Sequence, residues 1–198
     1  MKRYFIKLAY KGTNYHGWQI QPNAITIQSV LQDALAIVLK EKISVTGAGR
    51  TDTGVHAKFF VAHFETAINF EIDHAFLKKL NGIVGKEIAI YKIFEVNPKD
   101  HSRFTAISRT YEYYIHYVKN PFLNGFSYYL NWQPDIDKMN EACNILFNYD
   151  DFTSFSKSNS GAKTNLCNIY KAEWRVEKDK YVFEIKANRF LRNMVRAI

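Results

Sequence analysis

The stretch from Gly47 to Ala57, GAGRTDTGVHA, places one carboxylate, Asp52, among three glycines. Arg50 precedes this acid by two residues, and His56 follows it by four. Glycine and aspartate are favoured in turns, because glycine tolerates positive φ and aspartate hydrogen-bonds its own backbone. A structural turn therefore explains the glycines. It does not explain an acid with basic neighbours in a chain of net charge +8.

Two catalytic interpretations of Asp52 compete with the simple turn. The triplet Asp-Thr-Gly also occurs in aspartic proteases, which need a second carboxylate and an apolar strand leading into the acid. The chain has no second copy of the triplet, and the residues before Asp52 are polar and glycine-rich, so this interpretation is disfavoured. The other is an acid that an arginine keeps ionised in a basic cleft, where it can act as nucleophile or base.

Several arginines are candidate partners for this acid. Arg50 is close in sequence, and the segment NRFLRNMVRAI contributes three more. A helix is predicted from Phe190, with Leu191 and Val195 on one face. The helical spacing places three arginines together on another face, which would be basic: Arg189, Arg192 and Arg196. A solvated basic face is the plain alternative to a binding role.

Composition limits the classes of protein and partner that fit the chain. Its 198 residues, 47% of them hydrophobic, are enough for one domain or two small ones with a real core. Lys and Arg number 27 against 19 acidic residues, a balance typical of proteins with polyanionic partners. Aromatic residues, at 16%, favour base stacking.

No apolar run could span a membrane. Cys143 and Cys167 match neither a zinc site nor a redox pair, so a cytoplasmic protein with reduced thiols is expected.

Hydrophobic periodicity predicts the order β-α-β-β-α-β for the first half of the chain, which is a ferredoxin-like arrangement. Thr26 is expected to cap a helix whose apolar stripe runs over residues 27–39. Asp73 is expected to cap a second helix through Leu80. Residues 1–100 form this first unit, which carries the acid loop. One face of its first strand is formed by Tyr4, Ile6, Leu8 and Tyr10.

The second half repeats the pattern as β-α-β-β-α and then stops. A helix over PDIDKMNEACNILFN is expected to turn Ala142, Cys143 and Leu146 inward. A hairpin about residues 178–180 joins the next two strands. The predicted fold class is therefore α+β, with two ferredoxin-like (RRM-like) units of mixed or antiparallel sheets flanked by helices. The second unit, residues 101–198, is expected to be incomplete because it lacks its last strand.

Four motifs together resemble the TruA family of tRNA pseudouridine synthases, along nearly the whole chain. AGRTDTGVHA is similar to the family's signature loop, and YKGTNYHGWQIQP with TIQ to its amino-terminal strand and loop. SRTYEYYI is similar to its central strand, and NRFLRNMVRAI to its late helix. One departure is NYDDF at residues 148–152, where family members often carry a histidine before Asp-Phe. The family also continues past the late helix, so we expect a natural chain that extends beyond Ile198.

The resemblance implies an enzyme that isomerises uridine to pseudouridine at positions 38, 39 and 40 of the tRNA anticodon stem-loop, without cofactor or metal. Asp52 matches the catalytic aspartate, and Tyr111 matches the tyrosine that packs against the target base. Arg196 matches the arginine that pairs with the aspartate, and Arg50 the one beside the flipped base. A homodimer that holds one tRNA with both subunits is also implied.

Basic residues near these positions are candidates for contacts to the tRNA phosphates or stem, which must offset the cost of extruding the target base. They are Arg50, Lys58, Arg189 and Arg192. His56 is expected to hold the acid loop by a hydrogen bond to backbone rather than to act in catalysis. Whether Asp52 attacks the sugar, attacks the base or removes a proton stays open.

A non-catalytic RNA-binding protein with two RRM-like sheets is the alternative from another class. An RRM would show a glycine-aromatic pattern on its central strands, which KFFVAHF matches only loosely. Asp52 discriminates between the two, because a carboxylate beside phosphates weakens plain RNA binding but is needed for the chemistry.

Overall fold

A computed structural model describes residues 1–158 and 163–198 of the chain. The chain divides into two compact units, Met1–Ala106 and Ile107–Ile198. Each unit contains one four-stranded sheet and its own helices. The predicted α+β class with two ferredoxin-like units is confirmed. In the described part of the chain, no helix is both long and apolar enough to cross a membrane.

The first unit has the predicted order of strands and helices. Its elements are β1 (Lys2–Tyr10), α1 (Ile27–Leu39), β2 (Val45–Gly47), β3 (Ala57–Thr66), α2 (His74–Val84) and β4 (Ile88–Val96). The strands lie in the order β2-β3-β1-β4, and all neighbouring pairs are antiparallel. A short 3-10 turn, Gly12–Asn14, follows β1.

Local sequence signals account for the boundaries of these elements. The Thr26 side chain accepts a hydrogen bond from Ser29 N at 3.2 Å, and Thr26 N donates to Ser29 Oγ at 3.1 Å, a capping box. Asp73 caps α2 by accepting from Phe76 N at 2.7 Å. Both predicted caps are confirmed. The predicted face of β1 is at most 4% exposed, and it packs against the apolar sides of α1 and α2.

The segment after β4, residues 97–106, packs on the side of the sheet away from the helices. His63 Nδ1 lies 2.7 Å from Ser102 Oγ, which in turn donates to Thr46 O at 3.0 Å. Arg3 Nη1 donates to Asp100 O at 2.7 Å. These contacts place the segment in the first unit, which ends at Ala106.

We expect the buried His63 to make stability depend on pH. Burial, reinforced by the charges of His101 and Arg3 and opposed by Glu65, lowers the pKa of His63 from 6.5 to about 4. The unfolded chain therefore takes up this proton first. The contribution of neutral His63 to the free energy of unfolding should be complete above pH 6.5. It should be lost as pH falls toward 4, by about 3 kcal/mol at most.

Urea unfolding of the wild type and of His63→Gln between pH 7.5 and pH 4 measures this effect. The wild type should lose more stability across the window than the variant, because glutamine takes up no proton. Equal losses in the two proteins would show that other groups cause the pH dependence.

The second unit contains one strand that the sequence pattern did not predict. Its elements are β5 (Arg109–His116), β6 (Tyr128–Tyr129), α3 (Ile136–Ile145), β7 (Ile169–Glu177), β8 (Lys180–Ala187) and α4 (Met194–Ala197). Short 3-10 turns lie at Pro121–Leu123, Leu146–Asn148 and Thr153–Phe155. The order is β6-β5-β8-β7. The two-residue β6 pairs parallel with β5, on the edge that corresponds to the place of β4 beside β1.

Two helix predictions in this unit were wrong in detail. Cys143 is buried and Leu146 is partly buried, but Ala142 is exposed, since one residue along a helix turns the side chain by about 100°. The helix predicted from Phe190 is only α4, because Asn193 adopts a φ of 72° and interrupts the helical backbone.

The short α4 removes the predicted basic face. Arg189 and Arg192 precede the helix and share no helical face with Arg196. Leu191 also lies outside the helix, where it is buried with Met194 among Phe152 and Cys167. The burial of Leu191 and Met194 holds the residues between them in a turn, which helical spacing alone did not predict.

Candidate active site

Asp52 lies on the loop that connects β2 to β3, residues 48–56, here called the Asp52 loop. Two glutamines of α1 fix the short edge strand that leads into it. Gln28 Nε2 donates to Val45 O at 2.6 Å, and Val45 N donates to Gln32 Oε1 at 3.0 Å. The entry to the loop is fixed again where Ala48 N donates to Val61 O at 2.8 Å. Its first residue therefore has a defined position.

The residues after β1 hold the middle of the loop. Residues 11–18, here called the clamp segment, run directly alongside it. Trp18 N donates to Thr51 O at 3.1 Å, and Gly54 N donates to Tyr15 O at 3.4 Å. The Tyr10 hydroxyl lies 2.9 Å from Thr51 Oγ1. Backbone on both sides of Asp52 is thus tied to the clamp segment and to the end of β1.

His56 closes the far end of the loop. Gly12 N donates to His56 Nδ1 at 3.0 Å, so this ring nitrogen is an acceptor and carries no proton. The expectation that His56 holds the loop through backbone is confirmed. The same bond ties the start of the clamp segment to the last residue of the Asp52 loop.

Gly17 and Gly47 are two of the glycines that let the clamp segment pack closely against the Asp52 loop and against β2 before it. Gly17 has a φ of +82°, and a Cβ there would overlap Thr51 O. A Cβ on Gly47 would overlap the indole of Trp18. Both positions therefore exclude any side chain, for a reason that concerns protein packing rather than the substrate.

Trp18 is the anchor of the clamp segment. It is only 2% exposed, and its ring lies 4.4 Å from that of Phe60 and 6.2 Å from that of Tyr10, between centroids. The sequence pattern assigned it no role. The signal that could have found it is a large aromatic residue in a segment otherwise rich in glycine and polar residues, where only burial explains such a side chain.

The side chains of Asp52, Arg50 and Lys58 are exposed, although the backbone that carries Asp52 is held in place. A carboxylate on a fixed backbone that a large substrate can reach suits nucleophilic or basic chemistry. Among the described residues, no group of three or more His, Cys, Asp or Glu side chains could hold a metal ion.

The remaining candidate residues lie in the second unit. Tyr111, on β5, is partly buried and meets Phe190 edge to face, with ring centroids 5.2 Å apart. Arg196 lies on α4 and is exposed. Arg192 is exposed, and its carbonyl accepts from Lys157 N at 2.9 Å, whereas Arg189 is partly buried. The structure therefore groups Arg50, Asp52 and Lys58 in the first unit, and these four in the second.

Both cysteines of the second unit are free and buried. Burial raises the pKa of the Cys143 thiol and of the Cys167 thiol, so both stay protonated and unreactive near neutral pH.

Comparison with known proteins assigns a class to this fold and site. The family model described as tRNA pseudouridine synthase matches residues 142–198. The tRNA pseudouridine synthase A of Parabacteroides distasonis is 52% identical over 199 residues, which cover 100% of this chain and 79% of that protein. The proteins of the same name from Bacteroides fragilis and Porphyromonas gingivalis are 52% and 45% identical, with coverage of 100% of this chain and 79% and 80% of their own lengths.

The chain belongs to the tRNA pseudouridine synthase A family, and the resemblance inferred from the four motifs is confirmed. Members of this family are isomerases that act on uridine in tRNA. The match extends over both units, so it includes the Asp52 loop as well as the carboxy-terminal segment that the family model covers.

Proposed function

We propose that the chain isomerises uridine to pseudouridine at positions 38, 39 and 40 of the tRNA anticodon stem-loop, with Asp52 as the catalytic residue. The observation that carries the proposal is the exposed Asp52 carboxylate on a loop held from both sides by the clamp segment. Such a group is available to a bulky RNA without a change in the backbone. The family of the chain supplies the reaction class.

The reaction suits the chemistry of a carboxylate. The bond from ribose C1′ to N1 of uracil breaks, the base turns over, and C1′ bonds to C5. The proton on C5 is released, and N1 gains one, so the product is an isomer of the substrate. Asp52 can add to the sugar, add to the base, or remove a ribose proton during the first step.

The other site residues are assigned supporting roles by the family resemblance. Tyr111 packs against the target uracil while its glycosidic bond is broken, a use suited to a flat ring. Arg196 corresponds to the arginine that pairs with the catalytic aspartate in the family, and Arg50 to the one beside the flipped base. Phosphate or stem contacts, which offset the few kcal/mol needed to extrude a base, come from Lys58, Arg189 and Arg192.

We also propose that the protein acts in the cytoplasm as a homodimer, with one tRNA held by both subunits. The substrate class of its relatives and the two reduced thiols support the location. Sedimentation equilibrium of the purified protein tests the dimer, and a mass of one chain at micromolar concentration would exclude it.

Mapping of pseudouridine tests the proposed reaction and its target together. Unmodified tRNA transcripts with uridine at positions 38, 39 and 40 are incubated with the protein, and pseudouridine is located by carbodiimide labelling and primer extension. We expect modification at these positions, and its loss when each uridine is replaced by cytidine. Uridines in the other loops of the same transcript serve as internal controls. Modification only at those uridines, or nowhere, would contradict the proposal.

A further inference from the structure

The first sheet has one face covered by helices, and residues 97–106 cover the other face only around His63 and Arg3. Residues alternate between the two faces along each strand. Because Ile6 and Leu8 are buried under the helices, Phe5 and Lys7 project from the opposite face. Register extends this face to neighbouring strands, since Phe5 pairs with Phe94 and Lys7 with Lys92 on β4. The open face, as the term is used below, consists of Phe5, Lys7, Phe59, Lys92 and Phe94.

Lys7 and Lys92 are adjacent like charges on this face. They are register partners on neighbouring strands, and both are exposed. Like charges directly opposite each other destabilise a sheet. Neither lysine makes an ion pair with any described residue. A sheet that only had to be stable would gain by placing an acid at one of the two positions.

The two lysines lie among exposed aromatic rings. Lys7 Nζ is 5.2 Å from the ring centroid of Phe59, and Lys92 Nζ is 5.3 Å from that of Phe94. Phe59 is 63% exposed and Phe94 37% exposed, and Phe5 lies 6.0 Å from Phe94 between centroids. Cations beside accessible rings are the combination that binds single-stranded nucleic acid, since phosphates pair with the lysines and bases stack on the rings.

The second sheet shows that the fold does not require such a surface. Its face away from the helices carries a balanced network, in which Arg175 meets Glu112 at 2.9 Å and Glu184 at 3.0 Å. Lys171 also meets Glu184, at 3.2 Å. Most charges on that face are neutralised by one another, although Lys186, the register partner of Lys171, makes no ion pair with a described residue. The first sheet differs because neither lysine of its adjacent pair has an acidic partner among the described residues, whereas Lys171 has two.

We propose that the open face binds the single-stranded loop nucleotides of the RNA next to the target uridine. Phe59 and Phe94 stack on bases, and Lys7 and Lys92 pair with phosphates. Phe59 is on β3, which the Asp52 loop enters directly, seven residues after Asp52. RNA that passes the Asp52 loop along β3 therefore reaches this face. The inference rests on the proposed activity on tRNA and adds a surface to it.

A pair of charge-neutralising variants tests the lysines. Binding of an anticodon stem-loop RNA with cytidine at the target positions is measured for the wild type, Lys7→Gln/Lys92→Gln and Lys78→Gln/Lys79→Gln. The last is the matched control, with the same charge change on exposed residues of α2. We expect binding about tenfold weaker for the first variant, and a slope of log affinity against log salt flatter by about 1.4, at ~0.7 per phosphate contact. The control should match the wild type.

A second variant tests the rings and distinguishes loop from stem. Phe59→Leu/Phe94→Leu keeps apolar side chains but removes the flat stacking surface. It should bind the stem-loop RNA about tenfold more weakly, because each stacked base contributes substantially to affinity. Binding to the isolated stem duplex should stay at the wild-type level. An equal loss with both RNAs would overturn the assignment to loop nucleotides.

Four further results separate the explanations. Unchanged affinity and salt slope in Lys7→Gln/Lys92→Gln would overturn the proposal. So would a changed sedimentation mass in that variant with wild-type RNA affinity, which would assign the open face to contacts between copies of the chain. Thermal unfolding of the variant should occur at or above the wild-type temperature, since the repulsion is relieved, and this excludes misfolding as the cause of weaker binding. Failure of the proposed reaction would appear separately, as RNA binding by the wild type without pseudouridine.

Discussion

Asp52→Asn is expected to abolish pseudouridine formation while the protein still binds tRNA. The amide has the shape of the carboxylate but can neither add to carbon nor accept a proton, so we expect a rate loss on the order of a thousandfold or more. Asp52 is exposed, and the loop is held mainly through backbone groups of its neighbours, so the fold should survive the substitution. Release of tritium from tRNA labelled at uracil C5 measures the reaction, and filter binding measures affinity.

A matched control and a competing class make this experiment decisive. Asp33→Asn makes the same change at an exposed position on α1 of the same unit, and it should leave tritium release unchanged. Release at the wild-type rate from Asp52→Asn would exclude Asp52 as the catalytic residue. Tight tRNA binding without release from the wild type would instead favour the alternative of a non-catalytic protein with RRM-like sheets.

The long elements of the fold were predictable because their signals are local. In α1, the apolar stripe and the Thr26 cap lie within one continuous segment, and the predicted bounds of residues 27–39 are those of the structure. The strand β6 is different, since two residues contain no periodicity and its pairing with β5 is decided by distant parts of the chain. The helix predicted from Phe190 failed because helical spacing does not reveal the positive φ of Asn193.

The candidate site, too, was predictable from the sequence only where its signals are local. The Asp52 loop could be found from its residue types, and the hydrogen bond to His56 could be expected from chemistry alone. The role of the clamp segment could not be predicted, because Gly17 and Trp18 contact Thr51 across a sequence gap of more than 30 residues. A local pattern explains the loop glycines as turn residues. Only the packing shows that Gly47 is needed to make room for Trp18.

Gly17→Ala is expected to lower both stability and activity, although Gly17 lies outside the reacting groups. The alanine would keep a φ of +82°, which costs about 1–2 kcal/mol for a residue with a Cβ. Its Cβ would also overlap Thr51 O, a backbone atom that can move only with the Asp52 loop. We expect a total loss of about 2–3 kcal/mol in the free energy of unfolding. A displacement of Asp52 by about 1 Å should lower kcat/KM about a hundredfold.

Gly82→Ala is the matched control for this prediction. Gly82 lies inside α2 with no heavy atom within 4 Å of the added Cβ, so alanine should raise stability by about 0.5–1 kcal/mol and leave activity unchanged. Urea unfolding and the tritium-release assay are applied to both variants. If Gly17→Ala unfolded like the wild type and kept its kcat/KM, the contact between the clamp segment and Thr51 would not determine the position of Asp52. A loss of activity at unchanged stability would still place Gly17 in the positioning of the loop, because its Cβ would overlap Thr51 O and lie 3.1 Å from the carbonyl carbon of Asp52.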